Sequence, residues 1–425
     1  MKNKFKRFFE FKTSLSVGLF LAIREIRRAN LWTTVLVVLV MTITFLNLVV
    51  VGGILVGLIQ GSIDANRERY SSDLILSPLR AKSYIEQTEG ILNLIRNNPD
   101  VIALTTRYIQ PGKIEANYKT KLRETDITDS AGALVAGIDP EAENSVTGIS
   151  KFLIEGKYFE PNDFDQIIIG SDLLYKYTPI DTPSFRTLEN VGAGTKVRLV
   201  VGGIKREVTI KGVLKSKVGE IDQRIFMPAY QFKNMIGRSD FNVDEIAVKL
   251  SPKVLPETVK SFLLSRGVGE KAKVQTYSES QPKFLSDIKL TFALLGNLIG
   301  SIGLMVASIT IFIVIFVNAI TRRKFIGIMK GIGISRTAIE FSYMLQAMFY
   351  GILGTGLGVL IVFGFLKPFF SAHPINFPFS DGVLVATVSG TLIRVIILFI
   401  ATVIAGYIPA RIVVKQNTLD AILGR

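Results

Sequence analysis

The sequence predicts a membrane α-helical protein with four transmembrane helices and a large extracytoplasmic α+β domain inserted between helices 1 and 2. Three observations support this fold class. The 425-residue chain contains four long apolar stretches, a polar region of 224 residues separates the first two, and the excess positive charge lies outside that region. Such a pattern is typical of a multi-pass protein with one large translocated domain.

The transmembrane helices are predicted from the positions of charged side chains. Residues 29–63, 290–320 and 341–366 contain no Asp, Glu, Lys or Arg, and residues 382–409 contain only Arg394. A helix needs about 20 apolar residues to cross the hydrocarbon core, whereas the apolar part of a signal peptide is only about 7–15 residues long. We therefore expect retained helices at 31–60, 285–320, 341–366 and 382–409.

Charge indicates the orientation. Residues 61–284 hold 31 Lys and Arg against 29 Asp and Glu, whereas the rest of the chain holds 19 against 6. Basic residues near span ends mark cytoplasmic segments, and long translocated domains are exempt from this rule. We expect the termini (1–30 and 410–425) and the loop 321–340 in the cytoplasm. The same distribution explains a pI near 9.7 without a nucleic-acid partner.

The basic segment 1–30 leads into the first span through "LSVGLFLAIREIRRANLW", residues 15–32, in which Leu19, Ile23 and Ile26 recur at helical spacing beside arginines. An apolar stripe next to a basic face indicates a helix lying along the cytoplasmic membrane surface. A simple cytoplasmic extension of the first span is the alternative. Trp32, the only tryptophan, is expected at headgroup depth, so membrane lipid is an expected partner of this segment.

The region 61–284 reads as two lobes. Strand and helix patterns alternate in 61–110 and again in 225–284, which predicts one discontinuous α/β lobe. Residues 111–224 are richer in strand patterns, and Gly202-Gly203 separates two alternating runs, as in a two-residue hairpin. The chain has no cysteine, so this domain must be held together by its core.

Two further features concern the spans. The second apolar stretch would form a helix of about 46 Å, longer than a hydrocarbon core of about 30 Å, so its outer end is expected to project as a stalk. Residues 367–381 form a short external loop. The glycine pairs 296/300 and 354/358 permit close helix contact, either within the chain or between two chains.

A search for reactive residues predicts no catalytic, cofactor-binding or metal site. The only histidine, His373, lies in the external loop, and "VGAGTKV" at 191–197 lacks the ending of a phosphate-binding loop. We therefore expect that the chain itself is not an enzyme. Arg394 is costly inside a span and is expected either to link spans or subunits or to lie nearer a membrane surface than the pattern suggests.

The cytoplasmic loop contains "RRKFIGIMKGIGISR", residues 322–336. Its basic residues suit the membrane surface, but Ile326, Ile328, Ile332 and Ile334 need an apolar partner, and the glycines permit a sharp turn. The pattern favours a short helix that docks into a groove of a soluble protein. A basic membrane anchor would explain the charges alone.

This loop resembles the one between the second and third spans of FtsX-like (MacB/lipoprotein-release type) ABC transporter permeases, close to RRREIGILRALGAS. Phe325 stands where that pattern has glutamate, and Gly331 where it has alanine. "GIDPEAENSV" and "IPARIVVKQNTLDAIL" resemble further parts of the family. By this resemblance the ATPase-coupling residues are Arg322, Arg323, Lys324, Ile326, Gly327, Ile328, Lys330, Ile332, Gly333 and Arg336.

The resemblance implies a permease in the bacterial cytoplasmic (inner) membrane, paired with a second copy or a related permease. A separate ABC ATP-binding subunit would hold ATP and Mg, with no cofactor in this chain. Such permeases use mechanotransmission to extract or export amphiphilic cargo such as lipoprotein, peptide, lipid or drug. The alternative is an FtsX-type signalling permease that activates an extracytoplasmic partner, such as a cell-wall hydrolase or adaptor, without moving cargo.

Overall fold

The structure, a computed structural model, describes residues 2–119, 129–179, 182, 186–281, 283–377, 380–382 and 384–418. The chain divides into two compact units. The membrane unit comprises residues 1–60, 287–375 and 382–425, and the outer unit comprises residues 61–286 and 376–381. The end of the tail pattern, residues 419–423, lies outside the described residues.

Four of the described helices are long and apolar enough to cross a membrane. They follow an N-terminal helix, Lys2–Arg28. We call them span 1 (Leu31–Ser71), span 2 (Lys283–Thr321), span 3 (Arg336–Ala372) and span 4 (Val388–Val414). Single π-helical turns interrupt span 1 at Asn47–Val51 and Arg67–Ser71, and span 3 at Val362–Leu366. With a sheet-rich unit between the first two spans, the predicted fold class is confirmed.

The ends of the helices differ from the sequence prediction. Span 1 continues beyond residue 60 to Ser71, and span 3 continues beyond residue 366 to Ala372. A charged side chain ends an apolar stretch but does not interrupt the helical backbone. The helices therefore extend several residues beyond the apolar stretches. Span 4 begins at Val388 instead of 382, where the Thr387 hydroxyl accepts a hydrogen bond from the backbone N–H of Gly390 at 3.2 Å.

Both glycine pairs make their contacts within the chain, and both face span 1. A Cβ atom on Gly296 would lie 2.8 Å from the Cα of Gly52, and one on Gly300 would lie 2.6 Å from Leu48 Cδ1. A side chain at Gly354 would overlap Met41, and one at Gly358 would overlap Phe45. Span 1 therefore packs closely against spans 2 and 3 at these glycines.

The outer unit is built on one ten-stranded sheet with the order β10-β1-β9-β2-β3-β8-β5-β7-β4, and β6 pairs with β2 and β7. The strands are β1 Leu74–Pro78, β2 Val101–Glu115, β3 Ser130–Ile138, β4 Leu153–Gly156, β5 Gln166–Gly170, β6 Lys196–Val201, β7 Ile204–Leu214, β8 Arg224–Pro228, β9 Glu245–Leu250 and β10 Ala272–Thr276. A short hairpin pairs β11 (Ile375–Phe377) with β12 (Ser380–Gly382).

Helices and turns connect these strands. The described α-helices of the outer unit, apart from the ends of the spans, are Thr88–Arg96, Pro140–Thr147, Gly219–Asp222, Ala229–Met235 and Pro256–Ser265. The predicted hairpin is present, since Val201 pairs with Ile204 across two glycines at φ 55° and 83°. Positive φ at both central residues is the conformation of a two-residue hairpin turn.

The predicted division into two lobes differs from the structure. β2 runs through the expected boundary, pairing with β9 from Val101 and with β6 up to Glu115. One apolar core contains residues of both expected lobes. At the expected boundary Pro111 and Gly112 both pair with β3, and a Cβ on Gly112 would lie 2.7 Å from Val135 Cγ2. The glycine permits close packing inside a continuous strand.

The outer unit contains a group of charged side chains that are buried or nearly so. The guanidinium of Arg107 donates to both carboxylate oxygens of Glu143, at 3.0 and 2.7 Å, and to Glu245 at 3.2 Å. It also donates to the backbone carbonyl of Tyr70 at 2.9 Å. Arg224 pairs with Glu245 at 3.2 Å, and the guanidiniums of Arg107 and Arg224 both contact the Tyr70 ring. All of these contacts lie within the outer unit, to which Tyr70 also belongs.

Candidate functional site

The predicted docking segment contains a short helix, Arg323–Gly331, which we call the coupling helix. One face is buried: Ile326 is 2% exposed and belongs to the apolar core of the membrane unit. The opposite side presents Phe325, Ile328 and Ile332, with exposed fractions of 67%, 49% and 73%. Among the predicted coupling residues, the structure therefore separates an anchoring isoleucine from two exposed ones.

The exposed apolar side chains lie among basic ones. Lys324 and Arg336 are exposed, Arg323 is partly buried, and Gly327 lies on the buried side with Ile326. Exposed apolar side chains grouped within a few residues indicate an interaction surface. A basic rim around an apolar patch suits a partner groove with an acidic edge.

Lys330 fixes the coupling helix to the end of span 4. Its ammonium group donates hydrogen bonds to the backbone carbonyls of Val414 at 3.1 Å and Gln416 at 2.6 Å. The last carbonyls of a helix have no partner within the helix and carry partial negative charge, so a lysine there is favourable. The coupling helix is thus attached to span 4 as well as to the apolar core.

The two glycines at the end of the coupling helix differ in role. Gly333 has φ +95°. Its N–H donates to the carbonyl of Lys330 at 3.1 Å, and the N–H of Ile334 donates to the carbonyl of Met329 at 3.0 Å. These two bonds form a Schellman motif, which ends a helix with one residue in the left-handed conformation and favours glycine there. A Cβ on Gly331 would meet nothing within 4 Å. Only Gly333 supports the sharp turn that the sequence predicted.

Arg394 lies two turns from the start of span 4 and is partly buried. Its guanidinium lies beside span 1, since a Cβ on Gly52 would be 3.2 Å from the Nη2 atom. Within the described ranges no carboxylate forms an ion pair with Arg394. The structure therefore places it between two spans, and an ionic link to another subunit stays a prediction.

The remaining polar candidate is His373, whose ring stacks on Phe369 with centroids 5.1 Å apart. Among the residues that the structure describes, no group of three or more His, Asp or Glu side chains is arranged to hold a metal ion. The geometry of the membrane unit therefore points to a docking surface as its candidate functional site.

The sequence analysis missed two residues that contact this site, Glu25 and Ser14, because both lie in the N-terminal helix. Nη1 of Arg322, just before the coupling helix, lies 3.7 Å from Glu25 Oε1, and the hydroxyl of Ser335, which caps span 3, lies 2.8 Å from that of Ser14. Glu25 could have been noticed as an acid inside an otherwise basic run.

Comparison with known proteins agrees with this placement. Residues 297–418 match the family model described as FtsX-like permease C-terminal. This range contains most of span 2, the coupling helix, span 3 and span 4. The match thus covers the whole candidate site except the N-terminal helix.

Two curated relatives extend the match. The macrolide export ATP-binding/permease protein MacB of Agrobacterium fabrum is 27% identical over 44% of this chain and 28% of its own length. The lipoprotein-releasing system transmembrane protein LolC of Neisseria meningitidis serogroup B is 22% identical over 68% of this chain and 67% of its own. The chain thus spans well under half of that MacB relative.

A solved structure, the periplasmic region of MacB from Actinobacillus actinomycetemcomitans, matches 50% of this chain and 92% of its own, with a TM-score of 0.34 and 14% identity. The family model covers residues 297–418, so the FtsX-like assignment concerns that part of the chain. The chain is therefore a multi-pass membrane protein that carries an FtsX-like permease domain and is homologous to proteins named MacB and LolC.

Proposed function

We propose that this chain is the permease subunit of an ABC transporter that uses ATP hydrolysis by a separate ATP-binding subunit to extract or export amphiphilic cargo. One observation carries the proposal. The FtsX-like domain presents, on a short basic helix and the residue that follows it, three apolar side chains that are half exposed or more, Phe325, Ile328 and Ile332.

The site suits force transmission as well as binding. Ile326 and Lys330 attach the coupling helix to the apolar core and to the end of span 4. A movement imposed on its exposed side would therefore reach the spans. ATP and Mg would bind to the partner subunit, and a second permease copy or a related permease would complete the transporter.

The proposed orientation places the N-terminal helix, the coupling helix and the C-terminal tail in the cytoplasm of a bacterium, with the chain in the cytoplasmic membrane. The charge distribution supports this orientation. A reporter inserted near Gly331 should be cytoplasmic and one near Gly203 external. The opposite pattern would overturn the orientation.

Docking is tested by replacing Ile328 and Ile332 with Asp in the tagged full chain and recovering it from its native membranes. Full burial of an exposed isoleucine contributes about 1.5–3 kcal/mol, and the exposed fractions of Ile328 and Ile332 leave about 2–4 kcal/mol for the two together, so the double variant should bind the ATP-binding subunit about 20-fold more weakly, or worse. Ile204→Asp is the matched control, because Ile204 is 46% exposed and lies on the outer unit.

The eluates are assayed for a nucleotide-binding protein and for ATPase activity. We expect both with the wild type and with Ile204→Asp, and neither with the double variant, while all three chains remain membrane-inserted. Undiminished association of the double variant would contradict docking. Stimulation of the recovered ATPase by an added amphiphile would support transport, whereas tight binding of an outer-surface protein without such stimulation would favour signalling.

A further inference from the structure

The N-terminal helix contacts both ends of the segment that connects spans 2 and 3, residues 322–335, here called the coupling segment. At its end, the hydroxyl oxygens of Ser14 and Ser335 are 2.8 Å apart. At its start, Nη1 of Arg322 lies 3.7 Å from Oε1 of Glu25. All four residues belong to the membrane unit. We call these two pairs the bracketing contacts.

Glu25 also binds span 3. Its carboxylate accepts hydrogen bonds from the Gln346 side-chain amide and from the Ser342 hydroxyl, the latter at 3.5 Å. Burial raises the pKa of Glu25, whereas Arg322 and the two hydrogen bonds lower it. A mostly buried carboxylate is tolerated because charged and polar partners surround it. Three elements, the N-terminal helix, the coupling segment and span 3, meet at this one side chain.

The residues that make these contacts lie on one face of the N-terminal helix. Ser14, Gly18, Ala22 and Glu25 are spaced by four, four and three residues, which is the repeat of a helix face. A Cβ on Gly18 would lie 2.8 Å from the carbonyl oxygen of Ala338, and Ala22 is buried. The helix therefore packs closely on the start of span 3 along this face.

We propose that the N-terminal helix is part of the coupling device, and that Glu25 is the positioning residue that holds Arg322 and thereby the start of the coupling helix. The proposal rests on the proposed function. An ATP-binding subunit that docks on the exposed isoleucines would then move the N-terminal helix together with the coupling segment. Without the Glu25 carboxylate, Arg322 loses its ion-pair partner and the Gln346 amide loses its hydrogen-bond acceptor.

The placement can be tested without any partner, because the natural chain has no cysteine. The pair Ser14→Cys and Ser335→Cys should form a disulfide in membranes treated with a mild oxidant. Ser16→Cys with Ser335→Cys is the matched control. Ser16 is exposed and, two residues after Ser14, it lies on the opposite side of the helix. Equal cross-linking of the two pairs would overturn the bracketing contacts.

The role of Glu25 is tested by charge exchange on the Ser14→Cys/Ser335→Cys background. Glu25→Arg and Arg322→Glu, each alone, should lower both the cross-linking yield and the recovered ATPase at least about fivefold, and the double exchange should restore both to within about twofold. Glu25→Gln, a milder change, should act in the same direction as Glu25→Arg. Arg24→Gln, on an exposed position of the same helix, should change neither.

Failure of the two proposals would look different. If the wild-type eluate contained no ATPase, the proposed function would fail, and the cross-linking yields would still decide whether Glu25 holds the segment. Wild-type cross-linking and wild-type ATPase recovery in both Glu25 variants would refute the positioning role. A double exchange no better than the single ones would show that Glu25 and Arg322 do not act as a pair.

Discussion

Replacing Arg107 with Met should destabilise the outer unit strongly. Arg107 is fully buried and makes two of its hydrogen bonds to Glu143, which is also buried. Glu245 keeps Arg224 as a partner after the change, but within the described residues Glu143 would keep only hydroxyl donors, at Thr105 and Thr147. Leaving one member of a buried pair uncompensated costs about 3–5 kcal/mol.

For a domain of this size, about 1 kcal/mol corresponds to about 2–4 °C in Tm, so the midpoint should fall by about 6–20 °C. Temperature-dependent proteolysis of the full chain in detergent measures it, by following cleavage within residues 61–286. The double variant Arg107→Met/Glu143→Leu removes both charges and should recover most of the loss, because an apolar pair carries no desolvation cost. A single variant within about 1 kcal/mol of wild type, or additive losses in the double, would refute this reasoning.

Three further predictions follow from single positions. Burial raises the pKa of Asp222 from 3.8 to about 6, so the folded state holds a proton that the unfolded state has already released. The outer unit should therefore lose up to about 3 kcal/mol of stability as pH rises from about 4 to 6. Asp222→Asn should flatten that part of the measured curve of stability against pH. Gly354→Leu should lower the thermal stability of the membrane unit in detergent because the side chain would meet span 1, whereas Gly356→Leu, with open space around it, should not. Gly333→Ala should weaken recovery of the ATP-binding subunit about two- to fivefold because alanine is strained at φ +95°, and Gly331→Ala should leave it unchanged.

The sequence located the spans and the hairpin because both depend on local properties. An apolar stretch is recognised from its composition. The turn at Gly202-Gly203 is recognised because glycine readily adopts positive φ. The ends of the spans depend on backbone hydrogen bonding, which charged residues do not interrupt. Span 1 therefore reaches Ser71, although its apolar stretch ends near Ile63.

The predicted two-lobe division was placed where strand patterns become denser, at residue 111. The residues at that boundary are Pro111 and Gly112, types that often mark a turn. In the structure both residues lie within β2 and pair with β3. Whether a glycine marks a turn or permits close packing depends on side chains from distant strands, here Val135 and Val201. That information is absent from the local sequence.

The coupling segment shows the same limit at the level of single residues. Its isoleucines looked equivalent in the sequence, yet Ile326 is buried and Ile328, only two residues later, is exposed. Two residues correspond to about 200° around a helix, so they must face opposite sides once one of them is anchored. Which one is anchored depends on the packing of spans 2, 3 and 4.

Position 325 differs from the family pattern in a way that bears on both the proposed docking surface and the N-terminal helix. The resembling families carry a glutamate where this chain has Phe325, which suggested that an acid near the basic residues was lost. In the structure Phe325 adds exposed apolar area to the proposed docking surface, while Glu25 pairs with Arg322. Because 297 residues separate Glu25 from Arg322, no pattern confined to 322–336 could reveal the pair. On the proposed roles, the chain can carry an apolar residue at position 325 of the docking surface and still hold Arg322, provided that the N-terminal helix remains packed on span 3.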